Sequence, residues 1–397
     1  MLKVIYDSDY EGHHAEHLEH LIRWIQQNKK HEIQNYLFVI TREIYRKLVD
    51  RIENILVNIE FIPSDTYQKI AAEASPLKRS KHELRYLERL ASEKNITEIL
   101  FMILDRYQYI IGSKKFKRLN LKVSGILFNP YPRIPFLGTT LSETVKKVVK
   151  KGKKIILNFW MIRNKNIEAI FILDDKYTVD YLSRVFSDQK EVFKVLREPI
   201  PESSVKNMGE QDNSGENEVI KLLAFGVVNY RKNLLNIIEA AKRATTVRER
   251  KIELLIYGKC VNKYYLNALK RKIELSETEN DNFNIIFKNR FVTEEEKERL
   301  YTEASVVLAI YLDFYSSSGV LSHSVRFGKP LIVSKKGLMG TLTEEYQLGE
   351  TAISTSVNSI MDSIIKIQES NKDYTVHHEE FLRERTPQNF ASTLLEN

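Results

Sequence analysis

"LLAFGVVNYRKNLLNIIEAAKRA", residues 222–244, spells out one strand–turn–helix unit. Residues 220–225 read as an apolar strand. Gly226 turns the chain, and the basic pair Arg231-Lys232 precedes an amphipathic helix over 234–244. A cation beside the free N–H groups of a helix start suits a phosphate. The same pair also fits an ordinary solvated helix start, so the unit by itself leaves both readings open.

The unit repeats downstream. Strands are expected at 252–257, 283–287 and 306–311, with helices at 264–275 and 293–304 between them and another at 361–369. Upstream, 2–6, 36–40, 55–62, 98–104, 123–128, 155–161 and 168–173 read as strands. Helical spacing is expected at 13–27, 67–92 and 179–186. Such alternation predicts mostly parallel sheets covered by helices on both faces, an α/β fold. Residues 198–218, "EPIPESSVKNMGEQDNSGENE", show no periodicity and read as a linker or long surface loop. The expected division is therefore a first domain at 1–198, a linker at 199–218, a second domain at 219–378 and a C-terminal helix at 379–397. Two such halves would face each other across a cleft, with ligands at the carboxyl ends of the strands.

"YSSSGVLSHSVRFGKPLIVS", residues 315–334, is a second helix entry. Ser316, Ser317, Ser318 and Gly319 lead in, and 331–334 reads as a buried strand. Serine and glycine let a ligand approach the backbone and supply hydrogen bonds. Simple N-capping by serine explains them equally well.

The ordered set of these features over residues 220–350 resembles the nucleotide-sugar-binding half of GT-B glycosyltransferases, in the large retaining family known as glycosyl transferases group 1. It comprises Gly226 with Arg231-Lys232, then "IELLIYGK" (252–259), "NIIFKNRFVTEEEKERLYTEASVVLAIY" (284–311) and "GVLSHSVRFGKPLIVS" (319–334). The resemblance implies two Rossmann-like domains and a C-terminal helix that crosses back to the first. It implies donor contacts from Gly226, Arg231, Lys232, Ser317, Ser318, Gly319, Val320 and His323, with Arg290 and Phe291 near the base. Transfer of a sugar from a nucleoside diphosphate to an acceptor hydroxyl, without a metal or other cofactor, would follow. Two departures stand out. The family's pair of glutamates falls on Tyr315 and His323, and the arginine after the first glycine is Val227. His323 fits either a ribose contact or an unremarkable helix position. A nucleotide-sugar epimerase-like enzyme and a non-catalytic binding or scaffold protein are the alternatives on the same fold.

In the first half, "DSDYEGHHAEHLEHL" (7–21) follows the first strand. By the same resemblance Glu11, Gly12 and His13 would lie on the acceptor and sugar side, with His14 and Asp105 as catalytic candidates. Asp105 also fits a strand-ending acid that caps a turn. His13, His17 and His20 share a helical face with Glu16 nearby, but the zinc-protease spacing is not met, and no metal is expected.

The whole chain has 397 residues, 43% hydrophobic and 29% charged, the balance of a globular protein. One cysteine, Cys260, excludes an internal disulfide and fits a reducing compartment. The acidic turn by residue 7 predicts no signal peptide. Apolar runs fall far short of the roughly 18 residues of a membrane span. A cytoplasmic setting is expected, at the inner membrane face if the task is surface polysaccharide or glycolipid assembly. The net charge is +8. Part of it sits in "TVKKVVKKGKK" (144–154), where valines recur at helical spacing and Lys146, Lys147, Lys150 and Lys151 fill the remaining face. Lys114, Lys115, Lys117 and Arg118 form a second cluster. The lysine face is either solvated or rests on anionic lipid. No nucleic-acid-binding signature accompanies it, and no nucleic-acid partner is expected.

Overall fold

The computed structural model describes residues 2–9, 14–136, 140–200, 219–248, 250–277 and 281–396. The chain divides into two compact units: Met1–Pro199 with Thr386–Asn397, and Ile200–Arg385.

The first unit holds a seven-stranded parallel sheet. Its strands are β1 (Lys3–Asp7), β2 (Tyr36–Ile40), β3 (Asn58–Phe61), β4 (Glu98–Phe101), β5 (Lys122–Ile126), β6 (Ile167–Leu173) and β7 (Phe193–Leu196). They lie in the order β3-β2-β1-β4-β5-β6-β7. Val4 and Tyr6 enter one core and Ile5 the opposite one. Both faces are buried under helices, which is why Val4, Ile5 and Tyr6 are consecutive apolar residues rather than an alternation. Each fully buried side chain of this size contributes about 1.5–3 kcal/mol.

The second unit repeats the plan with six parallel strands: β8 (Ile220–Phe225), β9 (Ile252–Tyr257), β10 (Phe283–Lys288), β11 (Val306–Ala309), β12 (Leu331–Ser334) and β13 (Gly349–Ala352). Their order is β10-β9-β8-β11-β12-β13. Leu222 and Ala224 face one core, and Leu223 the other. Both sheets thus share the doubly wound order, and the strand order reverses at β1/β4 and at β8/β11. Ligands bind such sheets at the carboxyl ends of the strands beside that reversal.

Several expectations need correction. Residues 155–161 are not a strand. They form the second half of a 22-residue helix, Leu141–Ile162, which runs through Gly152. The expected helix at 67–92 is two, Ser64–Ala72 and Pro76–Lys94, because Pro76 cannot continue a helix and starts a new one. Lys151 does not belong to a surface lysine face. It is buried, its Nζ donates to the Ile134 carbonyl at 2.7 Å, and it lies over the Phe136 ring at 3.9 Å. The helix Leu338–Glu345 and the strands β7 and β13 were not expected at all.

Most of the expected linker, residues 201–218, lies outside the described residues. Just before it, Ile200 is buried and its N–H donates to the Arg385 carbonyl at 2.7 Å. The second unit keeps the chain to Arg385, beyond the boundary expected at 379, because Phe381 in the helix His378–Glu384 is fully buried in that unit's core. The crossing segment is the helix Pro387–Leu395, capped by the Thr386 hydroxyl, with Pro387 in its first turn. It packs on the helix His14–Asn28, where Phe390 meets His17 at 4.9 Å between ring centres.

Candidate functional site

At the carboxyl end of β8 the chain needs a sharp turn, and Gly226 makes it at φ +100°. A side chain there would be strained, and its Cβ would sit 3.3 Å from the Lys232 Nζ. Lys232 closes a short 3₁₀ turn, Tyr230–Lys232, ahead of the helix Leu234–Arg248. Its side chain is folded inward. Nζ donates to the Phe225 carbonyl and to the Tyr311 hydroxyl at 3.2 Å, and lies 4.9 Å from the Tyr311 ring centre. An ammonium carries three donors, so one is left over among the described residues. The lysine thereby joins the ends of β8 and β11, at the reversal of strand order.

The loop after β11 completes the edge of this region. Arg231 lies over the Phe314 ring at 4.8 Å, and its carbonyl accepts from the Leu312 N–H at 2.8 Å. Ser318 caps the helix Gly319–Arg326, its Oγ accepting from the Val320 N–H at 3.4 Å. The basic pair at 231–232 is therefore tied to Tyr311 and Phe314, which lead along the chain into residues 315–320 and neither of which stood out in the sequence.

Other expected contacts lie elsewhere. Arg290 and Phe291 follow β10 at the sheet edge, with β9 between them and β8. Arg290 is clamped by Glu296 through two 2.6 Å hydrogen bonds, which holds its pKa up, while Phe291 is exposed. His323 packs its ring against Tyr301 at 5.6 Å between centres. The Tyr315 hydroxyl donates to Asp313 at 3.0 Å.

Structural likeness spans the chain. A UDP-forming α,α-trehalose-phosphate synthase from Burkholderia vietnamiensis matches 100% of this chain and 96% of its own, with TM-score 0.65 and 11% identity. HepE of Anabaena, solved in complex with UDP, matches 100% and 99%, with TM-score 0.61 and 12% identity. The chain has the GT-B fold. No protein-family model matches the sequence, and no curated protein matches it by sequence. The first unit has the equivalent reversal of strand order, at β1/β4.

There β1 ends at Asp7 and β4 at Phe101. Asp7 is buried. Its Oδ2 lies 2.7 Å from His14 Nδ1, and its Oδ1 accepts from the Asp9 N–H at 3.0 Å. Burial pushes the Asp7 carboxyl above the usual carboxylate range, against the pull of the His14 hydrogen bond. His14 is the first residue of the helix His14–Asn28. Asp9 pairs with Arg106 at 2.6 Å, and the Ser8 and Tyr107 hydroxyls bond each other at 2.7 Å. Glu11, Gly12 and His13 lie outside the described residues.

Asp105 is committed to a structural task. Its two oxygens accept from the Phe128 N–H at 2.7 Å and the Asn129 N–H at 3.1 Å, which ties down the loop after β5. Burial raises its pKa, and Lys154, 3.7 Å away, opposes this. His17 and His20 pack around Phe390, and burial lowers the His20 pKa. Among the described residues no three His, Cys, Asp or Glu side chains converge as a metal requires.

One group was missed altogether. Glu83, in the helix Pro76–Lys94, is completely buried behind this edge. Neither of its oxygens has a hydrogen-bond partner among the described residues. Burial is the first cause that pushes its pKa up to about 7, opposed by Arg106 and Arg79 and only weakly by the Tyr107 and Ser8 hydroxyls. In sequence it is one acid in a strongly charged helix, and only its burial distinguishes it.

Proposed function

We propose that the chain is a glycosyltransferase that moves a sugar from a nucleoside diphosphate to an acceptor hydroxyl. The observation that carries the reading is Lys232, buried at the β8/β11 reversal with one N–H donor left among the described residues, on the sheet edge where β11 leads on to the Ser318-capped helix Gly319–Arg326. A diphosphate placed there would accept from Lys232 and replace the Ser318 cap at the helix N-terminus, where the backbone N–H groups favour negative charge. Leaving-group charge is then held by protein donors. One solved protein of the same fold fits this choice of ligand: HepE has been solved with UDP and with UDP-glucose.

On the acceptor side the pairing of Asp7 with His14 Nδ1 fixes the imidazole and turns Nε2 toward the role of acceptor, able to take a hydrogen bond or proton from a sugar hydroxyl. Asp7 acts by orienting His14. The resemblance implies retention of anomeric configuration and a place in surface polysaccharide or glycolipid assembly. Anomeric proton couplings of freshly formed product test the first point.

Calorimetry with UDP and with uridine is the deciding experiment. Binding of UDP that is far tighter than that of uridine, and weakened on Lys232→Ala, supports the reading. Failure of UDP and of the other nucleoside diphosphates to bind overturns it. A second reading is a nucleotide-binding protein without turnover. It is favoured by Tyr315 and His323 at the glutamate positions, both engaged with other side chains. Binding without sugar transfer across a donor and acceptor panel would select it.

A further inference from the structure

The helix Leu141–Ile162 buries the wrong face for its sequence. Valines at helical spacing beside lysines would ordinarily turn the valines inward. Here the buried positions are Lys151, Leu157, Asn158, Met161 and Ile162. Leu141, Val145, Val149, Ile156 and Trp160 are exposed, the first by 81% and Ile156 by 69%. They recur at intervals of four and seven residues, so they form one stripe along a helix about 33 Å long. Lys146, Lys150 and Lys153 are exposed along the side of that stripe. Folded proteins rarely leave so long an apolar row in water without an occupant.

The charge selects the occupant. A second copy of this chain laid against the stripe would bring two rows of lysines together, and like charges at close quarters repel. An anionic lipid surface takes the apolar row into its acyl boundary and the lysines into its headgroups. The far end of the stripe fits the same surface. Trp160 lies against Gly112, where a Cβ would come within 2.3 Å of the indole, and its Nε1–H donates to the Tyr109 carbonyl at 3.2 Å. The exposed Lys114, Lys115 and Arg118 follow on the next turn. A half-exposed tryptophan among basic side chains is the composition of a membrane–water interface.

We propose that the helix Leu141–Ile162 lies in the plane of an anionic bilayer, its Leu141–Trp160 stripe in the headgroup–acyl boundary. No helix among the described residues is long and apolar enough to cross a membrane, so this is contact along a surface. The helix follows a parallel strand, so its first turn starts from the carboxyl end of the sheet, the end that carries Asp7 and His14. Contact at that end would present this edge to acceptors embedded in lipid. The membrane contact itself does not depend on sugar transfer, and vesicle binding is measured without nucleotide, so either reading can fail alone.

The test uses the full chain with phosphatidylcholine vesicles, with and without phosphatidylglycerol. Sedimentation should show binding to the anionic vesicles alone, weakened by salt. Trp160 emission should shift to the blue on binding, and Trp160→Phe should abolish the shift while buried Trp24 stays constant. The triple variant Lys146→Gln, Lys150→Gln, Lys153→Gln should weaken binding on the order of 100-fold in low salt. Val149→Ser with Ile156→Ser, both at exposed positions, should weaken it while leaving the melting temperature near that of the wild type. Absence of binding to anionic vesicles, or binding that both variants leave unchanged, overturns the proposal. So does a wild-type dimer that the serine variant converts to monomer, since a second copy would then occupy the face.

Discussion

Replacing Glu83 with glutamine should change how the first unit's stability depends on pH. In an unfolded chain this carboxyl titrates near 4.5, and in the native protein near 7. Between those values the native state holds a proton that the unfolded state has released. Stability attributable to Glu83 is therefore full below about pH 4.5, falls as pH rises through the interval, and levels off above about pH 7. The displacement corresponds to roughly 3 kcal/mol, at 1.36 kcal/mol per tenfold. Glutamine has nearly the same shape and no charge at any pH, so Glu83→Gln should lose this dependence. Urea unfolding of the wild type and the variant at several pH values measures it, because all other titrations cancel in the difference. The variant should gain roughly 3 kcal/mol on the wild type between about pH 4.5 and about pH 8. A difference that stays constant across the interval refutes the claim that burial outweighs Arg106 and Arg79 at Glu83.

Four further outcomes are expected. Lys232→Ala should weaken UDP binding by about 10- to 150-fold, the value of one charged hydrogen bond, and leave uridine binding unchanged in calorimetry. Gly226→Ala should cost about 1 kcal/mol or more in thermal unfolding, since φ is +100° there, and should weaken UDP binding by crowding the Lys232 ammonium. Asp7→Asn should lower turnover with UDP affinity retained, as kinetics and calorimetry together would show, because it disturbs only the orientation of His14. Asp105→Ala should destabilise the protein by about 1–3 kcal/mol through two abandoned backbone N–H groups, again without loss of UDP binding.

The doubly wound plan was legible because parallel strands buried on both faces leave apolar runs such as residues 4–6 and 254–257. The pairing of Gly226 with Lys232 was legible too, as a turn glycine and a cation at fixed spacing. What failed has identifiable causes. Residues 155–161 are as apolar as a strand, and nothing local reveals that the preceding helix simply continues. Lys151 and its exposed neighbours are the same residue type one turn apart, and only the Ile134 carbonyl and Phe136 ring separate their fates. Tyr311 and Phe314 matter because of where β11 ends, which is a tertiary fact. Asp7 and His14 stand seven residues apart in sequence, and only the helix start brings His14 back to the strand end.

The crossing of residues 386–396 back to the first unit has a consequence for biogenesis. Lys3, in the first strand, donates to the Leu395 carbonyl at 2.9 Å, and the helix carrying Leu395 covers His17 and His20. On the ribosome these partners emerge 392 residues apart, with all of the second unit made in between. Domains fold as units during synthesis, N-terminal first as a rule. Here the second unit can finish first, while the earlier-made one waits with an uncovered helix face. A nascent chain of this design exposes that surface while the whole second unit is made, and chaperones would have their opportunity there.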